Sequence, residues 1–243
     1  MVKKNKETKR KKLIISTFVQ DFKTNVTPLH IACANNSKID VIKFLIENKS
    51  DANTKLENEQ TPFHMACAYT TDYETIRYLA NNGAHLNTLD KEKYSPFHLA
   101  CGYNSSVDVV RYLIAKRADV ALRDKNSHGP LHFACRKNTN LPVIQYLVEK
   151  KFSLNSKDNE DATPLHIASL YGTKPEIISC LITNKSDINA HDVNKQNPFH
   201  YACTCNPRLE VIKDFLENKA DLNCPDKNLF SKKKKIFFFL FLV

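Results

Sequence analysis

The chain has no tryptophan and only four glycines in 243 residues. It contains no P-loop, no dinucleotide fingerprint, no nucleophile elbow and no HExxH. The familiar phosphate-cradling and hydrolytic motifs are therefore excluded. A membrane-spanning helix needs ~20 apolar residues. The apolar run at the end of the chain, Ile236–Val243, has only eight. An excess of one charge is also missing from the body. The net charge is +10, but residues 1–12 carry +6 of it and Lys232–Lys235 carry +4. What remains holds 25 basic and 25 acidic residues. Basicity thus belongs to two tails, and an extended basic groove for nucleic acid is not supported.

What is present is one phrase said six times. It reads TPLHIAC at Thr27–Cys33, TPFHMAC at Thr61–Cys67, SPFHLAC at Ser95–Cys101, GPLHFAC at Gly129–Cys135, TPLHIAS at Thr163–Ser169 and NPFHYAC at Asn197–Cys203. Each copy starts 34 residues after the last. A fixed period of this size predicts a solenoid, which buries its core between neighbouring units. The units run 27–60, 61–94, 95–128, 129–162, 163–196 and 197–230.

Within a unit, Thr27 is a helix N-cap and Pro28 suits the first helical position, which needs no N–H. Leu29, Ile31, Ala32 and Cys33 give a short helix with an apolar, small-residue face. Alanine recurs in all six copies, at Ala32, Ala66, Ala100, Ala134, Ala168 and Ala202, as close helix approach requires. Asn35, Asn36 and Ser37 turn the chain. A second helix opens on Asp40, Glu74, Asp108, Glu176 or Glu210, where a carboxylate complements the helix dipole, and on Pro142 in the fourth unit. Val41, Ile42, Leu45 and Ile46 then recur at helical spacing.

Two helices, a projecting turn, the TPLH phrase and a trailing D-x-N (Asp51–Asn53, Asp187–Asn189) resemble ankyrin repeats over residues 27–230. The resemblance implies an all-α solenoid of helix–turn–helix units with projecting β-turn or hairpin loops. It implies a non-catalytic scaffold or adaptor that binds other proteins through its concave face and loop tips. A membrane-associated or truncated fragment of a larger multidomain ankyrin protein is the alternative. It also implies that the motif histidine is structural, bonding the Thr hydroxyl and tying neighbouring units. That role carries to Thr27/His30, Thr61/His64, Ser95/His98 and Thr163/His166. At His132 and His200 the capping residue is Gly129 or Asn197, so the bond is expected to be lost or altered.

The sequence departs from the family in two places. The family ends its second helix with a left-handed glycine, which only Gly83 supplies; Lys49, Arg117, Lys151, Lys185 and Lys219 stand at the other five sites. The glycine of the turn tip is replaced by Glu59, Lys93, Ser127, Asp161, Lys195 and Leu229. If these residues still take positive φ, each costs roughly 1–2 kcal/mol relative to glycine. Modest stability and looser turns are expected.

Outside the repeats, residues 1–12 read as a solvated, disordered basic start, with a nuclear-localisation or anionic-surface patch as the alternative. Leu13–Val19 is broken by Ser16 and Thr17 and meets no small-residue cleavage site, unlike a signal peptide. Residues 13–26 read instead as a degenerate N-terminal half-repeat. Residues 231–243 form a Lys/Phe-rich tail that could lie over the open end or touch a membrane through its aromatics and lysines. The segments outside the repeats are too short to hold an enzyme domain.

His-x-x-Cys recurs five times (His30/Cys33, His64/Cys67, His98/Cys101, His132/Cys135, His200/Cys203) and invites a zinc reading. Zinc needs four ligands converging on one point, whereas these pairs are strung one per repeat. No metal or other cofactor is expected. The ladder cysteines are one repeat apart, near the ~8–10 Å of packed helices, beyond the ~7 Å that a disulfide tolerates. They read as buried, reduced thiols, which suits a cytoplasmic or nuclear setting. Cys205 and Cys224 lie off the ladder and are expected to be exposed and oxidation-prone.

What remains for function is where the units disagree. The candidate protein-binding residues are Tyr69, Tyr103, Arg136, Lys137 and Tyr171 on the first helices, and Tyr94, Lys125 and His128 at the turn tips. Tyrosine and arginine are enriched in interface hot spots. The expected partners are other proteins, with no small-molecule substrate and no specific nucleic acid. A second series, Tyr78, Tyr112 and Tyr146 with Phe44 before it, is expected to pack between adjacent repeats.

Overall fold

The computed structural model describes residues 25–104, 106–137, 140–171 and 174–227. The basic start (1–12), most of 13–26, the tip residue Leu229 and the tail 231–243 lie outside the described residues.

Among the described residues there are twelve helices and no strands. They come in pairs: α1 (Pro28–Ala34) with α2 (Ile39–Glu47), α3 (Pro62–Tyr69) with α4 (Tyr73–Asn81), and α5 (Pro96–Tyr103) with α6 (Val107–Ala115). The series continues as α7 (Pro130–Lys137) and α8 (Leu141–Glu149), α9 (Pro164–Leu170) and α10 (Pro175–Thr183), α11 (Pro198–Cys205) and α12 (Leu209–Glu217). The chain divides into two units, residues 1–122 and 123–243. In the first, α1, α3 and α5 pack successively on one another, and so do α2, α4 and α6. In the second, α7, α9 and α11 form one such layer and α8, α10 and α12 the other. The architecture is all-α, built of helix–turn–helix units stacked in two layers. None of the described helices is long and apolar enough to cross a membrane.

The first helices start where the caps predict. Thr61 is extended, its Oγ1 accepts the His64 amide, and Pro62 follows at the first helical position. Ser95 and Asn197 do the same for His98 and His200. Acidic residues open α2, α4, α6, α10 and α12 as expected. The six repeated alanines are buried, so one helix backbone closely approaches the next. Around them sit Leu29, Phe63, Phe97, Leu131 and Leu165, also buried. Fully burying such a side chain contributes ~1.5–3 kcal/mol. These short helices, at most nine residues long, gain little from propensity alone and depend on this packing.

The turns are not loose. All five non-glycine residues after the second helices keep positive φ, from 59° at Arg117 to 70° at Lys185. So do the tip residues Glu59, Lys93, Ser127, Asp161 and Lys195. The reason is a set of bonds the repeat period did not suggest. In four tips an aspartate Oδ1 accepts two amides of its own turn: Asp90 from Glu92 and Tyr94, Asp124 from Asn126 and His128, Asp158 from Glu160 and Ala162, and Asp192 from Asn194 and Gln196. Successive tips are then tied through the backbone, as from the Lys91 amide to the Asn58 carbonyl at 3.0 Å. The left-handed strain persists because the turn around it is over-determined.

Two packing expectations need correction. Cys33, Cys67, Cys101 and Cys135 are buried, but Cys203 is exposed, because no later repeat packs on α11 among the described residues. Tyr78, Tyr112 and Tyr146 are half-buried, and Tyr73 lies across to Tyr112 from the preceding repeat with ring centroids 6.2 Å apart. Phe44, in the first described repeat, is instead exposed.

Candidate protein-binding surface

The motif histidines are used up by the fold. At Thr61 the backbone N–H donates to His64 Nδ1 at 3.2 Å, with the hydroxyl 2.9 Å from the same nitrogen. The opposite nitrogen, Nε2, faces the Tyr94 carbonyl at 3.1 Å. A carbonyl only accepts, so the proton sits on Nε2 and the ring is neutral. His30, His132, His166 and His200 reach the carbonyls of Gln60, Ala162, Gln196 and Cys224 in the same way. Each of these carbonyls belongs to the end of the unit's own turn, so every ring braces the turn against the first helix. Burial lowers the pKa of His64 and His132 to about 4, against the carbonyl bonds that raise it. It lowers His30 and His166 as well.

The expected change at the two unusual caps is visible. Gly129 keeps only the backbone bond to His132. Asn197 replaces the hydroxyl with its amide oxygen, which accepts the His200 N–H at 3.1 Å.

The ladder thiols face no base. Burial pushes Cys33, Cys67, Cys101 and Cys135 well above the ordinary thiol range, so they are poor thiolates. Among the described residues, no group of three or more His, Cys, Asp or Glu side chains gathers as a metal site. Off the ladder, Cys205 is exposed, and Cys224 is half-buried with its sulfur 2.9 Å from His191 Nε2.

The candidate binding residues divide into two sets. In the first unit, Tyr69 at the end of α3 and Tyr103 at the end of α5 lie side by side, with ring centroids 6.5 Å apart. Tyr103 is exposed and Tyr69 half-buried. In the second unit, the Arg136 guanidinium sits over the Tyr171 ring, 5.4 Å from its centroid. Tyr171 is exposed, just past α9. A cation over an aromatic face holds both side chains in place. Both pairs mark the ends of helices whose other residues are buried. Lys125 is exposed at its tip, and its carbonyl accepts from Asn159 Nδ2 at 3.0 Å. Tyr94 is half-buried, its amide bonded to Asp90. The Lys137 side chain lies outside the described residues.

His128 departs from its expected place at the surface. Its ring is buried between two carboxylates, with Nδ1 3.0 Å from Asp124 Oδ2 and Nε2 3.2 Å from Asp158 Oδ2. Both ring nitrogens donate, so the imidazole is charged. Burial alone would lower its pKa, but Asp124 and Asp158 outweigh that and raise it to about 9. In return the His128 bonds outweigh burial at both carboxylates and hold them below their usual range. Gln60 and Gln196 stand at the equivalent position and reach the next aspartate likewise, Gln60 to Asp90 at 2.7 Å and Gln196 to Asp226 at 2.9 Å. This brace between consecutive tips escaped sequence reasoning. Its signal was the aspartate recurring at 90, 124, 158, 192 and 226.

Comparison with known proteins agrees with this architecture. A family model described as ankyrin repeats (3 copies) matches residues 2–90, 29–124, 84–158 and 131–226. A search of curated sequences returns no match. Among solved structures, the ankyrin repeat domain of human ASB11 is similar with a TM-score of 0.72 and 21% identity, over 87% of this chain and 94% of that one. At that identity the likeness speaks for the fold alone. With the family model matching most of the chain on top of six in-frame units, this chain belongs to the ankyrin repeat family.

Proposed function

We propose that this chain is a non-catalytic scaffold or adaptor, binding other proteins through its six repeats over residues 27–230. Ankyrin repeats generally mediate protein–protein interaction and are typically non-catalytic. The observation that carries the reading is the exposed aromatic at the ends of α5 and α9, each held by a neighbour: Tyr103 by Tyr69, and Tyr171 by Arg136. Side chains already held in place lose little freedom on association, which favours binding. The motif histidines and ladder cysteines are engaged within the fold, which leaves these positions as the surface that varies from unit to unit. The eight cysteines are all free thiols, which supports a reducing compartment, cytoplasmic or nuclear.

The test is partner capture with wild type beside Y69A/Y103A and R136A/Y171A. Proteins held by wild type and lost by either variant, at unchanged melting temperature, support the reading. Identical captures by all three contradict it.

A further inference from the structure

The repeated interface has two unfinished ends. Ile31 in the first repeat is 43% exposed, while its equivalents Met65, Leu99, Phe133 and Ile167 are at most 6% exposed. Val41 is 46% exposed, and its equivalents Thr75, Val109, Val143, Ile177 and Val211 are buried. These positions become buried once a repeat precedes them, so they form the upstream side of the stacking contact. At the other end the asymmetry reverses. Cys203 is exposed although Cys33, Cys67, Cys101 and Cys135 are buried. Leu216 is 46% exposed against 7% for Ile182. Phe199 is half-buried where Leu29, Phe63, Phe97, Leu131 and Leu165 are buried. These form the downstream side. Each face is a property of one end of the chain by itself.

A polar series has the same two ends. Asn53 Oδ1 accepts the His85 amide, Asn87 that of Asp119, Asn155 that of Asp187 and Asn189 that of Asp221, at 2.7–2.9 Å. Within this series, the equivalent acceptor without a donor is Asn223, and the equivalent donor without an acceptor is the Asp51 amide. The downstream end thus offers an apolar face with an acceptor beside it. The upstream end offers the matching face and donor.

From this complementarity we infer that a second copy of this chain docks head to tail, its Ile31/Val41 face seated on the Phe199/Cys203/Leu216 face of the first. The contact continues the repeat-to-repeat interface by one step, with the Asp51 amide donating to Asn223. It is heterologous, so each copy keeps one free end, and association extends with concentration instead of stopping at a dimer.

Sedimentation of the full chain under reducing conditions tests this. The weight-average mass of wild type is expected to rise with concentration beyond about twofold the monomer, as an open heterologous contact allows. I31K/V41K, blocked upstream, and C203K/L216K, blocked downstream, each stay monomeric with unchanged melting temperature. L216K alone, at an exposed helical position, gives the same loss should the double variant fold poorly. The equimolar mixture of the two blocked variants still pairs through the one intact contact and stops at about twofold. A wild type that is monomeric at every concentration overturns the inference, because its own terminal residues then cover these faces or the faces stay bare. A mixture that fails to pair, or a singly blocked variant that associates as wild type does, overturns it equally.

Discussion

His128 Nε2 and Asp158 Oδ2 lie 3.2 Å apart and join the turn of one repeat to the turn of the next. The bond is the charged version of what Gln60 does with Asp90 and Gln196 does with Asp226.

That difference gives the protein a titratable brace. His128 has a folded pKa raised to about 9, against ~6.5 when unfolded. Its contribution is complete below about pH 6.5 and is lost as the pH rises towards 9. By the size of the shift it is at most about 3 kcal/mol. The four neutral motif histidines act oppositely. With folded pKa values lowered, they contribute above about pH 6.5, and this is lost as the pH falls towards 4. Melting followed by circular dichroism is therefore expected to show H128Q losing the alkaline decline between about pH 6.5 and 9 while keeping the acid one. An unchanged alkaline limb would show that the brace contributes nothing.

Thr61→Ala removes a buried hydroxyl that accepts the His64 amide and contacts its ring. Loss of such a cap costs ~1 kcal/mol, up to ~2. Chemical denaturation should place T61A that far below wild type. No loss would mean that the backbone bond from Thr61 suffices, as it does at Gly129.

Lys185 has φ 70° where the family prefers glycine. Lys185→Gly relieves roughly 1 kcal/mol of left-handed strain. It also loses a cation near a helix C-terminus, worth ~0.3–1 kcal/mol, and gains freedom in the unfolded chain. A small stabilisation, under about 1 kcal/mol, is the expected result by denaturation. A loss of more than that amount would show that the lysine is held by interactions stronger than its strain.

Ala100 is wholly buried where α5 meets α3. Leucine there overpacks the contact and should cost about 1–3 kcal/mol. Asn58→Ala, at a half-buried tip, forfeits one side-chain bond to the Gln60 amide, worth ~0.5–1.5 kcal/mol. A100L should melt below N58A; equal melting temperatures would refute the close-packing reading of the alanine ladder.

The fold was legible because a solenoid states its rule six times. The caps at Thr61 and Ser95, the buried Ala66 and the carboxylates opening the second helices each follow from local chemistry, and the period copies them. The left-handed sites at Lys49 and Lys151 could be located by family resemblance, but the tightness of the turns could not. That depends on Asp90 and Asp158 each gathering two amides, a geometry that exists only once the turn has closed. The candidate surface was less legible for the same reason. His128 reads as a tip residue until the aspartate 30 residues later is brought against it. Tyr69 and Tyr103 share a repeat position, so their pairing could be expected. The cation–π contact of Arg136 and Tyr171 joins two different repeat positions, and the period does not reveal it. The exposure of Cys203 arises because repetition predicts burial for every copy, whereas burial requires a neighbour.

The central claim is that repeated positions hold the fold and unrepeated ones bind. Measuring melting temperature and affinity for a captured partner together, on H64A and Y103A, tests it most directly. The account predicts that H64A melts lower but binds at wild-type affinity where it is folded, and that Y103A melts as wild type and binds at least tenfold more weakly, about the 1.4 kcal/mol of a hot spot. Undiminished binding by Y103A, with binding abolished in folded H64A, would contradict it.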